Sequence, residues 1–171
     1  MLILQADRDA LLKPLQAVTG IVERRHTLPI LSNVLLESTH GQTNILATDL
    51  EIQINTDGPK SEAGDFRITT NAKKLQDILR ALPEGAQVAL DWAQNRLTLK
   101  AGKSRLALQT LPAEDFPLMS VGEEVSSAFS LTQEALKGML SQVQYSMAVQ
   151  DIRYYLNGLL MQTEGDQLRL V

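Results

Sequence analysis

Three stretches of the chain carry hydrophobic residues at the spacing of an amphipathic helix. Residues 7–18, 72–82 and 133–146 each place an apolar residue every three or four positions, with polar side chains opposite. Pro14 lies inside the first stretch, where it predicts a kink or a later helix start. We interpret the stripes as core-facing surfaces; they consist of Leu11, Leu12, Leu15 and Val18, then Leu75, Ile78, Leu79 and Leu82, then Leu136, Met139, Leu140 and Val143.

Alternating segments between these helices predict strands with one buried face. In residues 96–100, for example, Leu97 and Leu99 point to one side and Thr98 and Lys100 to the other. The predicted strands are residues 2–5, 34–38, 44–47, 51–55, 65–69, 87–91, 96–100, 105–110, 127–131, 156–163 and 167–170. The order strand, helix, three strands thus occurs twice and begins a third time. It predicts an α+β fold of doubled βαβββ units, with helices packed on one face of antiparallel sheets.

The chain also repeats itself at a constant offset of 125 residues. Residues 10–18 return as 135–143, and residues 31–37 return as 156–162. Self-similarity at a fixed period predicts one structural unit used more than once. Two prolines and a charge run within residues 111–125 read as a linker between the copies. We therefore expect a complete first domain over residues 1–122 and the truncated start of a second over 123–171.

Composition narrows the class of protein. The chain has 171 residues, of which 44% are hydrophobic, and it contains no cysteine, which excludes a disulfide framework and a thiolate metal site. No apolar run is long enough to span a bilayer, and the first residues lack the basic region of a signal peptide. We expect a cytoplasmic protein without membrane association. The net charge of −4 argues against holding nucleic acid by bulk charge.

The sequence offers little catalytic chemistry. His26 and His40 stand in loops, and no glycine-rich phosphate loop follows a strand. Asp49 and Glu51, two apart on a predicted strand, share a face that could hold Mg²⁺. With a histidine they would suit a small metal-dependent hydrolase. A solvated strand face explains the same pair, and we expect no catalytic residue, cofactor or metal site.

Basic residues are placed more selectively than their number suggests. Lys13, Lys73, Arg80 and Lys137 lie on or beside the polar faces of the three predicted helices, whereas acidic residues concentrate in strands and loops. Such a distribution can hold a polyanion loosely on one side and repel it elsewhere. Ordinary solvation of helix exteriors accounts for the same pattern. Arg24 and Arg25 form a basic loop tip that becomes a candidate phosphate contact beside such a helix face.

The densest aromatic point lies in residues 150–158. Tyr154 and Tyr155 follow Arg153 there, and rings beside a guanidinium can stack the bases of a single strand. They can equally form a pocket for a protein partner, or cover the edge of the core. A peptide-binding module without a DNA role therefore stays open as an alternative. Replacing Lys73 and Arg80 separates it from a DNA-bound scaffold, because a peptide module would be unaffected.

Six motifs, LLKPL, TLPILSN, TDLE, LPEGA, TLPAEDFP and DIRYYLNG, begin at residues 11, 27, 48, 82, 110 and 151. With them the chain resembles, in order and in register, the bacterial β sliding clamps, the processivity subunits of DNA polymerase III. The resemblance implies a DNA clamp fold with three domains per chain, two chains closing into a homodimeric ring around duplex DNA, and helices lining the hole. It implies a non-catalytic scaffold whose partners are DNA polymerase III, the clamp loader and other proteins with clamp-binding motifs.

The resemblance also assigns roles to individual residues. It implies that DNA is contacted by Arg24, Arg25, Gln150 and Tyr155, and, through the helix faces, by Lys13, Lys73, Arg80 and Lys137. Arg153, Tyr155 and Leu156 correspond to one wall of the pocket for partner peptides. The first-domain side of the subunit interface corresponds to Lys74, Lys103, Arg105, Leu106 and Leu108. The other pocket wall and the third domain follow residue 171 in the family, so we expect a half-built pocket and a ring that cannot close.

Overall fold

The computed structural model describes residues 1–22, 28–119, 128–149 and 151–171. The chain divides into two compact units, Met1–Val121 and Gly122–Val171. Unit 1 contains, in chain order, β1 (Leu2–Asp7), α1 (Arg8–Val18), β2 (Asn33–Thr39), β3 (Gln42–Thr48), β4 (Gln53–Asp57), β5 (Phe66–Asn71), α2 (Ala72–Ala81), β6 (Gln87–Ala93), β7 (Arg96–Ala101) and β8 (Ser104–Gln109). Within the described residues, no helix is both long and apolar enough to cross a membrane.

Unit 1 is built from two βαβββ halves that exchange their first strands. The strand orders are β1-β6-β7-β8 in one sheet and β4-β3-β2-β5 in the other, and all pairings are antiparallel. The first strand of each half therefore pairs with the second strand of the other half. This confirms the predicted α+β fold. Neither half can complete its sheet alone, because its own first strand belongs to the opposite sheet.

The helical stripes form the core of unit 1. Leu11, Leu15 and Leu79 are almost fully buried in one cluster with side chains from both sheets, such as Leu36 and Leu90. Burying one such side chain contributes about 1.5–3 kcal/mol. Both helices contact strands of the β4-β3-β2-β5 sheet, and they also contact each other. The predicted stripes of α1 and α2 are thus confirmed, with Ile78 and Leu82 only partly buried.

Helix α1 begins at Arg8 and runs through Pro14. The helix therefore starts one residue later than expected, and not after the proline. Pro14 has no N–H to donate to the carbonyl of Ala10, so one helical hydrogen bond is missing. Ala10 is exposed, and solvent can hydrate its carbonyl. The helix tolerates the proline because the missing hydrogen bond lies on its solvent-exposed face.

The helix of unit 2 and the turn after it recur at the bounds of their counterparts in the first half of unit 1. Adding 125 to α1 gives α3 (Gln133–Val143), and adding 125 to the 3-10 turn Thr19–Ile21 gives the turn Gln144–Ser146. Two short strands, β9 (Met161–Glu164) and β10 (Gln167–Leu170), pair as an antiparallel hairpin. The stripe of α3 is only half-buried, unlike the stripe of α1.

Two predicted strands of unit 2 differ from the structure. Residues 128–131, the described part of the strand predicted over 127–131, form no strand. The segment 156–163 is divided between a 3-10 turn, Tyr154–Asn157, and β9. In unit 1 the first strand of a half pairs only with the other half. Residues 128–131 have no such partner within the described part of unit 2, which explains why they do not form a strand despite their sequence.

Candidate nucleic-acid interface

Helices α1 and α2 lie side by side with opposite directions. At one end the Arg8 guanidinium donates hydrogen bonds to carbonyls in the last turn of α2, 2.9 Å to Leu79 and 3.5 Å to Arg80. At the other end the buried Gln76 amide donates to the Thr19 hydroxyl at 2.7 Å. Carbonyls at a helix C-terminus lack helical partners, and a guanidinium satisfies them while complementing the helix dipole. These contacts hold the two helices as one surface.

The outer surface of this helix pair is basic. Lys13, Lys73 and Arg80 are all exposed there. The two helices together hold five basic and two acidic residues, a net charge of +3 in a chain of net −4. Lys73 is 3.4 Å from Asp77, one turn further along, whereas Lys13 and Arg80 have no ion pair within the described residues. The structure thus brings these three predicted residues onto one paired-helix surface.

Lys73 and Lys74 stand in the first turn of α2, where the helix dipole disfavours positive charge. The turn is formed nevertheless, because the Asn71 side chain caps it by accepting from the Lys74 N–H at 2.9 Å. Each misplaced lysine costs about 0.3–1 kcal/mol. Local conflicts of this kind concentrate at functional sites, and an anionic partner would relieve this one.

The remaining predicted DNA contacts are spread over the chain. Arg24, Arg25 and Gln150 lie outside the described residues. Lys137 is exposed on α3 in unit 2, and Tyr155 is exposed in the separate 3-10 turn Tyr154–Asn157.

Asp49 and Glu51 do not share a strand face, so this expectation is wrong. β4 begins only at Gln53, and residues 49–52 form a turn. One oxygen of the Asp49 carboxylate accepts hydrogen bonds from the N–H groups of Glu51, at 2.9 Å, and Ile52, at 2.7 Å. This oxygen is therefore already bonded to the backbone of the turn. In the part of the chain that the structure describes, no three His, Cys, Asp or Glu side chains come together as metal ligands. The carboxylate pair is a turn motif and gives the hydrolase alternative no support.

The predicted peptide-pocket residues lie on a loop organised by Asp151. Its carboxylate accepts from both Nε and a terminal nitrogen of Arg153, at 3.0 and 2.9 Å, and also from the Arg153 N–H at 2.8 Å. Asn157 closes the loop, accepting from the Asp151 N–H at 3.0 Å and donating to the Asp151 carbonyl at 3.1 Å. Arg153 and Tyr155 are exposed, and Leu156 is half-buried.

The side-chain and backbone hydrogen bonds from Arg153 lower the pKa of Asp151, and the Asp151 carboxylate raises the pKa of Arg153. Because the pKa of Asp151 is depressed in the folded loop, the stabilisation is complete above its unfolded value and is lost as the pH falls through the folded value. We expect the Arg153 Nε–H signal in NMR spectra to be protected from exchange at neutral pH and to lose protection in acid. Asp151→Asn should remove the protection at neutral pH.

Asp166→Asn, in the turn between β9 and β10, removes the same charge from the same unit and serves as the control. It should leave the Arg153 signal unchanged. Protection that survives in Asp151→Asn would show that the loop does not depend on the carboxylate.

Comparison with known proteins shows which family the chain belongs to. The sequence pattern of the DNA polymerase III beta subunit, N-terminal domain, matches residues 2–120, and that of the central domain matches residues 130–171. The chain belongs to the DNA polymerase III beta subunit family.

Relatives in this family include two proteins named beta sliding clamp. One, from Pseudomonas aeruginosa, is 44% identical over 165 residues, and one from Escherichia coli K12 is 43% identical over 166 residues. Each match covers 96% of this chain and 45% of the relative. The chain thus spans about half the length of the relatives that it matches.

Solved structures of beta subunits share the fold. A sliding clamp from Pseudomonas aeruginosa bound to griselimycin is 42% identical with a TM-score of 0.91, over 99% of this chain and 46% of that one. The beta subunit of Caulobacter crescentus is 38% identical with a TM-score of 0.86, over 99% of this chain and 46% of that one.

In this beta-subunit chain, four of the five residues expected at a subunit interface lie on or just before the edge strand β8, and the fifth, Lys74, lies on α2. β8 is the edge strand of the β1-β6-β7-β8 sheet, and Arg105 and Leu106 are exposed on it. Lys103 is exposed in the turn before it, and Lys74 is exposed on α2. Leu108 instead packs into the core of unit 1. Of the two leucines that the resemblance assigns to the interface, Leu106 is exposed and Leu108 is almost fully buried, so Leu106 is the one whose side chain a partner could contact.

Sequence reasoning missed Arg8, whose guanidinium joins the two helices of the basic surface. A basic residue in the first turn of a helix is unfavourable for that helix, which was the available signal. Arg8 becomes favourable only in the folded unit, where the C-terminus of α2 lies beside its guanidinium. A contact over 71 residues of sequence has no local pattern.

Proposed function

We propose that this chain is the N-terminal part of a sliding clamp, a ring-shaped processivity factor that encircles duplex DNA and tethers polymerase and repair proteins to it. The observation that carries the proposal is the basic surface of α1 and α2, with a net charge of +3 in an acidic chain. The family and the relatives named beta sliding clamp support the same function. On this proposal residues 1–122 are the first clamp domain and residues 123–171 begin the second.

The charge distribution suits a sliding contact better than a static one. Each phosphate contact releases counterions and strengthens binding, so many tight contacts would slow movement along DNA. Three exposed cations on paired helices give a weak, sequence-independent attraction, because they meet phosphates and no base edges. Acidic residues elsewhere keep other surfaces of the chain from binding DNA. The ring, rather than the affinity, would keep the protein on its template.

The protein's role on this proposal is mechanical and non-catalytic, in the cytoplasm. It holds polymerase near the primer terminus and so raises the effective concentration of the enzyme there. DNA polymerase III, the clamp loader and other proteins with clamp-binding motifs would dock where Arg153, Tyr155 and Leu156 form one wall of a pocket. Lys74, Lys103, Arg105 and Leu106 would meet a second subunit in the closed homodimeric ring, with Leu108 supporting them from the core.

A hybrid clamp tests the proposal. Residues 1–171 replace the matching part of the Escherichia coli beta sliding clamp, to which they are 43% identical. We expect the hybrid to form a dimer by light scattering and to support processive synthesis by DNA polymerase III on primed circular DNA. The same hybrid with Arg153→Ala should form the dimer but recruit the polymerase poorly.

A hybrid that forms closed dimers yet leaves synthesis distributive would contradict the proposed function. If a hybrid fails to dimerise, the assigned interface is wrong. Binding of duplex DNA by residues 1–171 alone then tests the basic surface separately.

A further inference from the structure

Helix α2 places one acidic residue among the cations of the basic surface. Lys73, Asp77 and Arg80 follow one another at intervals of four and three residues, so they lie along one face of the helix. All three side chains are exposed. Along the helix axis, Asp77 lies about 6 Å from the position of Lys73 and about 4.5 Å from that of Arg80. A phosphate that approaches either cation therefore also approaches a like charge.

The Asp77 carboxylate is already paired with one of these cations. One of its oxygens is 3.4 Å from the Lys73 ammonium, which also donates to the side-chain oxygen of Gln76 at 3.4 Å. Both distances exceed the range of about 2.7–3.2 Å for a close N–H···O bond. The Lys73 and Asp77 side chains are 48% and 57% exposed, so water also competes for the pair. Lys73 is held loosely, and another anion can take the place of the carboxylate.

The stability of α2 does not explain this ion pair. Lys73 stands in the first turn, where the helix dipole disfavours positive charge, and the acid follows the base by four residues. An ion pair in this order stabilises a helix less than one in the reverse order. The first turn is capped by the Asn71 side chain, without help from either charge. A role on the basic surface accounts for the acid better than a role in the helix.

The other acidic residue of the two helices has a different setting. Asp9 is 2.7 Å from the guanidinium of Arg8, whose side chain is only 13% exposed. The same guanidinium donates to the Leu79 carbonyl, so this pair supports the contact between α1 and α2. Of the two acids, Asp77 is therefore the one whose partner is an exposed cation of the basic surface.

We infer that Asp77 is an internal competitor of DNA phosphates for Lys73, and that it sets how loosely the basic surface holds DNA. The inference rests on the proposed clamp function. A phosphate can contact Lys73 only when the Asp77 pair opens, so each contact is weaker and breaks sooner than it would beside a neutral residue. A ring that topology keeps on DNA gains mobility in this way, because every phosphate contact must break before the protein advances.

Asp77→Asn in chain 1–171 tests the inference, with fluorescence anisotropy of a labelled duplex in a salt series. Asparagine keeps the size of the side chain and removes its charge. We expect the affinity at low salt to rise about two- to fivefold, the factor by which an exposed ion pair of this kind holds its partner. In a plot of log K against log salt concentration, the magnitude of the slope should increase by up to about 0.9, because Lys73 becomes free for one further phosphate. The thermal midpoint of unfolding should stay nearly unchanged.

Two controls accompany this variant. Asp115→Asn removes the same charge from an exposed residue outside the two helices and should leave the affinity nearly unchanged. Lys73→Gln removes the cation for which carboxylate and phosphate compete. When Lys73→Gln is already present, Asp77→Asn should raise the affinity much less than it does alone.

The consequence for movement can be measured on closed rings. In the Escherichia coli hybrid clamp, Asp77→Asn should slow diffusion along DNA, followed by tracking single labelled rings. The slowing should match the gain in affinity, about two- to fivefold, because each contact then lasts longer.

Three outcomes would overturn the inference. Unchanged or weaker DNA binding by Asp77→Asn would show that the carboxylate does not compete with phosphates. A full gain in the presence of Lys73→Gln would show that Asp77 repels DNA without acting through Lys73, and an equal gain with Asp115→Asn would reduce the effect to net charge. In each case the basic surface still binds DNA. The proposed function fails separately, if reversing the charges of Lys13, Lys73 and Arg80 does not weaken that binding.

Discussion

Leu15→Ala is expected to destabilise unit 1 by about 3 kcal/mol, within the range of about 2–5 kcal/mol for buried leucines. Leu15 is 1% exposed and belongs to the core cluster shared by both sheets and both helices. The substitution removes buried apolar surface and leaves a cavity, because the surrounding strands hold their positions. The effect reaches both halves, since each contributes strands to both sheets.

Urea denaturation followed by tryptophan fluorescence measures this effect. Trp92 is the chain's one tryptophan, and it packs against the core of unit 1. The denaturation midpoint should fall by about 1–3 M for a loss of this size. Leu140→Ala is the matched control, because it changes the same residue type at the offset of 125. Leu140 is only half-buried and lies in unit 2, so the Trp92 transition should stay unchanged.

Equal midpoints for Leu15→Ala and the unmodified chain would contradict the assignment of α1 to the shared core. A large shift with Leu140→Ala would show that the two units unfold together.

A triple charge reversal on the basic surface is expected to weaken binding of chain 1–171 to duplex DNA by more than about tenfold at low salt. The variant combines Lys13→Glu, Lys73→Glu and Arg80→Glu. All three side chains are exposed on the paired helices. Reversal removes three attractive charges and adds three repulsive ones on one surface. The binding constant should also depend less steeply on salt. In a plot of log K against log salt concentration, the magnitude of the slope should decrease by about 0.9 for each lost phosphate contact.

Fluorescence anisotropy with a labelled duplex in a salt series measures both quantities. Lys60→Glu, Arg96→Glu and Lys103→Glu together change the net charge by the same amount at exposed sites off the two helices. This control should reduce affinity much less. An equal loss in both triple variants would mean that the chain responds to DNA only through its net charge. The basic surface would then have no special role.

The helices and most strands of unit 1 could be predicted because their signals are local. The stripe from Leu11 to Val18 faces the core as its spacing requires, and the alternation around Leu97 and Leu99 separates a buried from an exposed face. The errors arose where side chains compete with the backbone or where a partner strand is needed. The Asp49 carboxylate accepts the N–H groups of Glu51 and Ile52 and so holds residues 49–52 in a turn. Residues 128–131 have no pairing strand within the described part of unit 2.

Periodicity alone determined which residues of this protein are helical, which face the core, and that one unit recurs at an offset of 125. These properties depend on neighbours within a few positions, or on copying of the chain itself. The tertiary structure alone decided that the halves exchange strands and that Arg8 joins α1 to α2. Those outcomes depend on groups brought together from distant parts of the chain, for which a sequence carries no local signal.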